Sequence, residues 1–145
     1  MITVSQPLLK LQRAYRPVLV DVNGAMQTLG YDSETIVSMA ECGELRWVFD
    51  VSVHQARIRE LRFWLGELVN RNQRELEQAE VIETIIGRRT EARLKAVTVA
   101  SVLLVRRPTV HDYVRAGALT GEKVGNVQWI DRASLVAFLN RRVIA

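Results

Sequence analysis

The 145-residue chain is 48% hydrophobic and 25% charged, a balance typical of one globular domain or two very small ones. Its longest apolar stretch, residues 95–105, falls short of the ~20 residues that a membrane-spanning helix needs, and the amino terminus lacks a signal-peptide pattern. One cysteine and two distant histidines exclude an internal disulfide and offer no metal-ligand spacing, so we expect a cytoplasmic protein without a metal or other cofactor.

The net charge of +4 is unevenly distributed along the chain. Residues 1–90 hold 11 Lys and Arg against 12 Asp and Glu, whereas residues 91–145 hold 9 against 4. Such a concentration of positive charge favours polyanions such as nucleic acid, although a basic face can also be merely solvated.

Two 17-residue segments, 29–45 and 103–119, superimpose without a gap at an offset of 74 residues. Each is predicted to form a helix, a tight turn and a second helix, so the pattern indicates an internal duplication. The identical pairs are Leu29 with Leu103, Thr35 with Thr109, Gly43 with Gly117 and Leu45 with Leu119.

Residues 1–17 are predicted to form an N-terminal arm, and residues 18–54 the first copy of the duplication. Residues 47–50 align with 128–131, which leaves the first copy about seven residues short and predicts that its β-hairpin is truncated or absent. Its outward positions are acidic where the second copy is basic, and carboxylates are repelled by phosphates. We interpret this copy as a degenerate helix-turn-helix domain kept for packing or partner contact. Arg46 and Arg57 are its candidate phosphate contacts.

Residues 52–86 show a helical pattern, because apolar residues recur at spacings of three, four and seven or eight. The polar sequence at 71–74 interrupts this stripe, which predicts either one helix with a polar insert or two helices, with Gly87 as a stop. We assign residues 55–90 to a helical connector or a dimerisation segment.

Residues 91–145 contain the second copy and the elements that complete it. The predicted elements are a helix over 98–104, a turn over 105–107, a helix opened by Pro108 and closed by Gly117, a hairpin around Gly125 and Asn126, and a helix over 132–142 that Asp131 caps. The apolar stripe of the last helix is expected to close a core against Val110 and Trp129. Trp47 and Trp64 are also expected in the core.

Residues 103–139 resemble the small winged helix-turn-helix domain of MerR-type regulators and of phage or mobile-element excisionases. The resemblance rests on the apolar residue and turn before Pro108, the Gly117-x-Leu119 pair, the hairpin or wing, and Trp129 before a helix. It implies a fold that is mainly α with small β-wings, in which tandem winged helix-turn-helix domains are joined by a helical connector.

The candidate DNA-binding residues lie on the second helix and the wing of the second copy. Two arginines at the entry of that helix lie where side chains reach the major groove, and a guanidinium suits bidentate contact with guanine or phosphate. The alternative is a solvated turn and a polar hairpin tip. The full set is Arg106, Arg107, Thr109, His111, Arg115, Lys123, Asn126 and Gln128.

No catalytic constellation is visible, since the sequence lacks a Gly-rich phosphate loop and a nucleophile beside a base, and we expect a protein that is not an enzyme. The predicted function is sequence-selective binding of double-stranded DNA, as a bacterial or phage-type transcriptional regulator or an excisionase-like recombination directionality factor. Further candidate partners are a recombinase, RNA polymerase and a second copy of the chain. The alternative is a protein–protein interaction adaptor that uses winged-helix scaffolds, which the acidic first copy favours.

Overall fold

A computed structural model describes residues 18–53, 59–87 and 90–144 of the chain. Two segments in it share one order of elements, strand, helix, helix, strand, strand, helix; we call residues 19–69 the first unit and residues 93–142 the second unit. Each unit has a three-stranded antiparallel sheet with its third strand in the centre. The predicted arm, residues 1–17, and Arg57 lie outside the described residues.

The first unit is built around its central strand, β3. Its elements are β1 (Leu19–Val20), α1 (Val22–Leu29), α2 (Ser33–Glu41), β2 (Val48–Asp50), β3 (Leu61–Trp64) and α3 (Leu65–Val69). β3 pairs with β1 on one side and β2 on the other, and Phe63 lies opposite both Val20 and Val48. Because α3 starts directly after β3, the sheet fixes where that helix begins.

The segment between the units is held to the first unit by hydrogen bonds from arginine side chains. A 3₁₀ helix spans Arg71–Glu75, and α4 spans Gln78–Ile86 and ends at Gly87 as predicted. The Arg71 guanidinium donates to the Glu44 carbonyl at 2.9 Å, and that of Arg74 donates to the Gly43 carbonyl at 3.2 Å. Positive charge is favourable beside carbonyl groups at the C-terminal end of a helix, here just beyond the end of α2. The polar sequence at 71–74, which interrupts the apolar stripe, therefore has a structural role.

The second unit repeats the first with the spacing that the sequence predicts. Its elements are β4 (Arg93–Lys95), α5 (Ala96–Leu103), α6 (Arg107–Arg115), β5 (Gly121–Val124), β6 (Val127–Asp131) and α7 (Arg132–Arg142). The bounds of α5 and α6 are those of α1 and α2 shifted by 74 residues, so the predicted order of a helix, a turn and a second helix is confirmed in each copy. The hairpin around Gly125 and the last helix are confirmed as well.

The predictions for residues 47–86 were partly wrong. Residues 61–64 lie in a strand, not in a helix of the predicted connector over 55–90, and β2 is the counterpart of β5, not of β6. The connection between β2 and β3 spans residues 51–60, whereas two residues join β5 to β6. The hairpin of the first unit is therefore present and has a longer connection.

The sheet of the first unit is buried on both faces. One face belongs to an apolar cluster with α1 and α2; its strand residues are Val20, Val48, Leu61 and Phe63. The other face belongs to a cluster shared with α4 and the second unit; its residues include Leu19, Phe49, Val51 and Trp64. Since successive strand residues point to opposite faces, this sheet is the middle layer between two helical layers.

Two details of the second unit differ from expectation. The Asp131 carboxylate does not cap α7 but accepts a hydrogen bond from the Thr120 hydroxyl at 3.0 Å. Trp129 is half-buried outside the core, whereas Trp47 and Trp64 are buried as predicted. Ile130 takes the core-facing position of β6, so its neighbour Trp129 points to the outer face.

In the described part of the chain, no helix combines the length and apolarity needed to cross a membrane.

Candidate nucleic-acid interface

A groove in the second unit brings together the start of α5, the first half of α6 and the tip of the β5–β6 hairpin. We call it the basic groove; its lining residues are Lys95, Ala96, Val97, Arg107, His111, Lys123, Asn126, Val127 and Gln128. Five of the eight predicted DNA-binding residues are among them: Arg107, His111, Lys123, Asn126 and Gln128. The fold thus joins residues that are up to 21 positions apart in the sequence.

Buried residues on the opposite side of α6 hold its groove-facing side in place. Arg107 is the first residue of α6 and His111 lies four positions later, so both side chains share one face. Val110 and Tyr113 are fully buried and attach the helix to the core. Gly117, with φ of +78°, ends the helix in a conformation that favours glycine.

The hairpin carries the other half of the groove. Lys123 lies opposite Gln128 across the two strands. Gly125, with φ of +60°, occupies the first position of the two-residue turn, where glycine is favoured. A Cβ atom on Gly121 would lie 1.8 Å from the Trp129 carbonyl oxygen, so the start of β5 requires glycine. The backbone of the hairpin therefore fixes where the Cα atom of Lys123 lies relative to α6.

The basic groove has the electrostatics of an anion site. Lys95, Arg107 and Lys123 line it, and none of its lining residues is a carboxylate. Both α5 and α6 begin next to it, and their N-cap residues, Lys95 and Arg106, make no side-chain cap hydrogen bond. The first N–H groups of a helix lack intrahelical partners and carry partial positive charge, which adds to that of the side chains.

The first unit has the opposite chemistry at the same two positions. Asp21 and Asp32 cap α1 and α2 by accepting from the backbone N–H groups of Gly24 at 2.9 Å and Thr35 at 2.8 Å. Side-chain and then backbone hydrogen bonds from Thr35 hold the pKa of Asp32 below its ordinary value, so it stays ionised. These carboxylates occupy the donors that an external anion would need.

Three predicted residues lie outside the lining of the basic groove. Arg106 is exposed at the N-cap of α6, and Thr109 is half-buried on the same helix. Arg115 is exposed and forms an ion pair with Asp112 on its own helix. Its charge is therefore partly compensated within the helix.

The sequence reasoning missed Lys95. It is the N-cap of α5 and lines the basic groove. The signal was present, because the offset of 74 aligns Lys95 with Asp21, an N-cap type of residue. Its ammonium also lies 5.8 Å from the centre of the Trp129 ring, while the Arg93 guanidinium lies 5.4 Å from it. Two cations thus flank the half-buried indole on the outer sheet face.

The candidate phosphate contact in the first unit has a structural role. The Arg46 guanidinium lies 4.5 Å from the centre of the Trp47 ring and donates to the Arg74 carbonyl at 2.8 Å. A shallow depression near this region is lined by two carboxylates, Glu34 and Glu44, together with Arg71. No cluster of three or more His, Cys, Asp or Glu side chains suited to a metal ion occurs within residues 18–53, 59–87 and 90–144.

Comparison of the chain with protein family models, with curated proteins and with solved structures finds no match in any of the three. The function is therefore inferred from the contrast between the basic groove of the second unit and the carboxylate-capped helix starts of the first.

Proposed function

We propose that the second unit is a winged helix-turn-helix domain that binds double-stranded DNA in a sequence-selective manner. The observation that carries this proposal is the convergence of three cations, two helix starts and a hairpin tip in a groove whose lining includes no carboxylate. In this reading α6 is the recognition helix and the β5–β6 hairpin is the wing. The first unit is a second, degenerate winged helix-turn-helix that does not read DNA.

The groove supplies both kinds of contact that a DNA reader needs. The first residues of a recognition helix contact base edges in the major groove, so we assign base contacts to Arg107 and His111. Lys95 and the exposed N-terminal ends of α5 and α6 suit phosphate oxygens, which set position but not sequence. Lys123 and Asn126 on the wing suit the backbone or the minor groove.

The biological role that fits such a module is that of a cytoplasmic transcriptional regulator or a recombination directionality factor. Both roles need sequence-selective attachment of a small protein to duplex DNA, followed by contact with RNA polymerase or a recombinase. No chemistry by the protein itself is required in either role. The first unit, which displays acidic side chains, is the candidate surface for such a protein contact.

The proposal is tested by selecting duplexes from a random pool and measuring affinity as a function of salt. Affinity must fall steeply as salt rises, since lysine and arginine contacts release counterions from the phosphates. Arg107→Ala should lower affinity by about 1–3 kcal/mol, roughly 5- to 150-fold, with an unchanged melting temperature. Arg141→Ala is the matched control, because it removes an exposed arginine of the same unit that lies outside the groove. Equal affinities for Arg107→Ala and wild type would rule out the assigned recognition helix.

The protein–protein adaptor remains the second candidate, and the acidic depression of the first unit favours it. Tyr31, which is 49% exposed, lies there beside Glu34 and Glu44, an arrangement suited to a basic partner. Absence of binding to any duplex at ~50 mM salt, where phosphate contacts are strongest, would favour this adaptor function over DNA binding.

A further inference from the structure

A buried arginine of the first unit reaches into the second unit. Arg62 lies on β3 and is 8% exposed. Its Nε donates to the carbonyl oxygens of Leu103 and Leu104 at 3.1 Å each, and its Nη2 donates to that of Leu104 at 2.8 Å. The remaining contacts are Nη1 with the Leu61 carbonyl at 2.9 Å and Nη2 with the Glu60 carboxylate at 3.3 Å. The guanidinium is thus held at both ends, by its own strand and by α5.

The group that Arg62 binds is the turn leading into α6. Leu103 is the last residue of α5, and Leu104 adopts φ of +55° before the chain reaches Arg106 and Arg107. A left-handed conformation is unfavourable for a leucine, so contacts from outside the turn help to hold it in this conformation. The guanidinium supplies such contacts, because free carbonyls at a helix C-terminal end attract cations.

The first unit shows what the same turn needs when glycine occupies it. Gly30 ends α1 with φ of +75°, at the position that the offset of 74 aligns with Leu104. Glycine adopts this conformation without strain. The contrast indicates that Arg62 of the first unit and Leu104 of the second unit act together.

We propose that Arg62 is a positioning residue for DNA reading: from the first unit it fixes the α5–α6 turn and thereby the angle at which α6 enters the major groove. The proposal rests on the function proposed above. It gives the first unit a defined role, as the support that orients the recognition helix of the second. Arg62 itself contacts no DNA.

A matched control separates positioning from stability. Arg142 also joins the units, since its Nη1 donates to the Ser52 carbonyl at 2.7 Å and the Asp50 carbonyl at 3.3 Å. It lies at the end of α7, and none of its hydrogen bonds reaches the described α5–α6 turn. Arg142→Gln should therefore weaken the interface between the units without removing a hydrogen bond to the α5–α6 turn.

The experiment compares Arg62→Gln, Arg62→Lys and Arg142→Gln on a duplex selected from a random pool and on a shuffled version of it. Arg62→Gln should lower the ratio of the two affinities by about tenfold, the effect of one misplaced base contact, with the salt dependence unchanged. Arg62→Lys should lower it less, because an ammonium still reaches a carbonyl. Arg142→Gln should lower the melting temperature and keep the ratio within about twofold of wild type.

Amide hydrogen exchange without DNA gives a readout that does not depend on binding. Arg62→Gln should speed exchange at residues 105–107, and Arg142→Gln should not. An unchanged affinity ratio in a folded Arg62→Gln variant would overturn the proposal. So would a ratio that falls in both Arg62→Gln and Arg142→Gln in proportion to their loss of melting temperature. If Arg62→Gln does not fold, Arg62→Lys with an unchanged ratio and unchanged exchange would overturn it too. Failure of the wild-type protein to bind any duplex would instead overturn the proposed function.

Discussion

The two units have one backbone plan and opposite surfaces. In the first unit both faces of the sheet are buried, and the side chains of Asp21 and Asp32 cap the N-terminal ends of α1 and α2. The second unit leaves the outer face of its sheet exposed and has Lys95 and Arg106 at the same helix starts. A few side chains at aligned positions are therefore enough to give opposite charge to the helix starts of two units with one topology.

The difference has a physical cost on the second unit. A capping carboxylate stabilises a helix by satisfying its first N–H groups, and a cation at that position does not. The second unit lacks this stabilisation at α5 and at α6. Hydrogen bonds between the units hold the second unit instead: Arg62 of the first unit donates to Leu104, and Tyr113 and Arg142 of the second donate to Val51 and Ser52.

The strongest test of this dependence is a fragment of residues 91–145 alone. It should show no cooperative unfolding transition, because it loses the apolar face that Phe49, Val51 and Trp64 present to it. Each such side chain contributes about 1.5–3 kcal/mol, a large part of the stability of a small domain. Circular dichroism melting and the amide dispersion of an NMR spectrum measure this. A dispersed spectrum with a single transition would show that residues 91–145 form an autonomous domain and would contradict this dependence.

Charge reversal tests which unit carries the DNA contacts. Arg107→Glu with Lys123→Glu should lower affinity for duplex DNA at least about 100-fold, because two attractive contacts become repulsive within the basic groove. Glu34→Lys with Glu44→Lys, in the first unit, should change it less than about threefold. A gel-shift titration at fixed salt compares the two. A larger effect of the second pair would mean that the first unit faces the DNA.

An exchange of N-caps separates stability from binding. Arg106→Asp gives α6 the cap that α2 has, and should raise stability by about 0.5–1 kcal/mol while lowering DNA affinity about tenfold. Asp32→Arg should lower stability because α2 loses its cap. Acid should do the same, because the pKa of Asp32 is lower in the folded protein than its ordinary value of 3.8. The stability that the carboxylate provides is therefore present above pH 3.8 and is lost as the pH falls through the pKa of the folded protein. Thermal melts and titrations of both variants provide the measurement. An Arg106→Asp variant that binds DNA as wild type would exclude the α6 start from the interface.

The smallest expected effect concerns the aligned helix ends. Leu104→Gly should stabilise the chain by up to about 1 kcal/mol, because glycine relieves the left-handed strain. Gly30→Ala should cost about 1 kcal/mol for the same reason, since a Cβ there meets no atom within 4 Å and the cost is conformational. Chemical denaturation resolves changes of this size. Equal stabilities for wild type and both variants would mean that neither turn is strained.

The helices of both copies were predictable because their local signals agree. Proline at the start of α6, glycine after its end and apolar residues three and four apart define α6 without reference to the rest of the fold. The same holds for the Gly125 turn, whose two residues fix the register of β5 and β6. Most of the lining of the basic groove follows from these elements.

Strand β3 was missed because it carries no alternation. Leu61 and Phe63 pack towards α1 and α2, while Trp64 packs towards the second unit, so every residue of the strand is buried. A four-residue segment with three large apolar residues and one arginine fits a helical pattern equally well. The contact of Arg62 with Leu104 was not predictable either, because it forms only when the two units pack together.

The two-faced sheet of the first unit also has a consequence during synthesis. Translation delivers residues 19–69 before the second unit, and at about 5–20 residues per second the following 73 residues take roughly 4–15 seconds to appear. Throughout that interval the face with Trp47, Phe49 and Trp64 has no cover from the second unit. A nascent chain stalled in this window would leave that aromatic surface without its cover from the second unit, and exposed apolar surface of this kind favours aggregation.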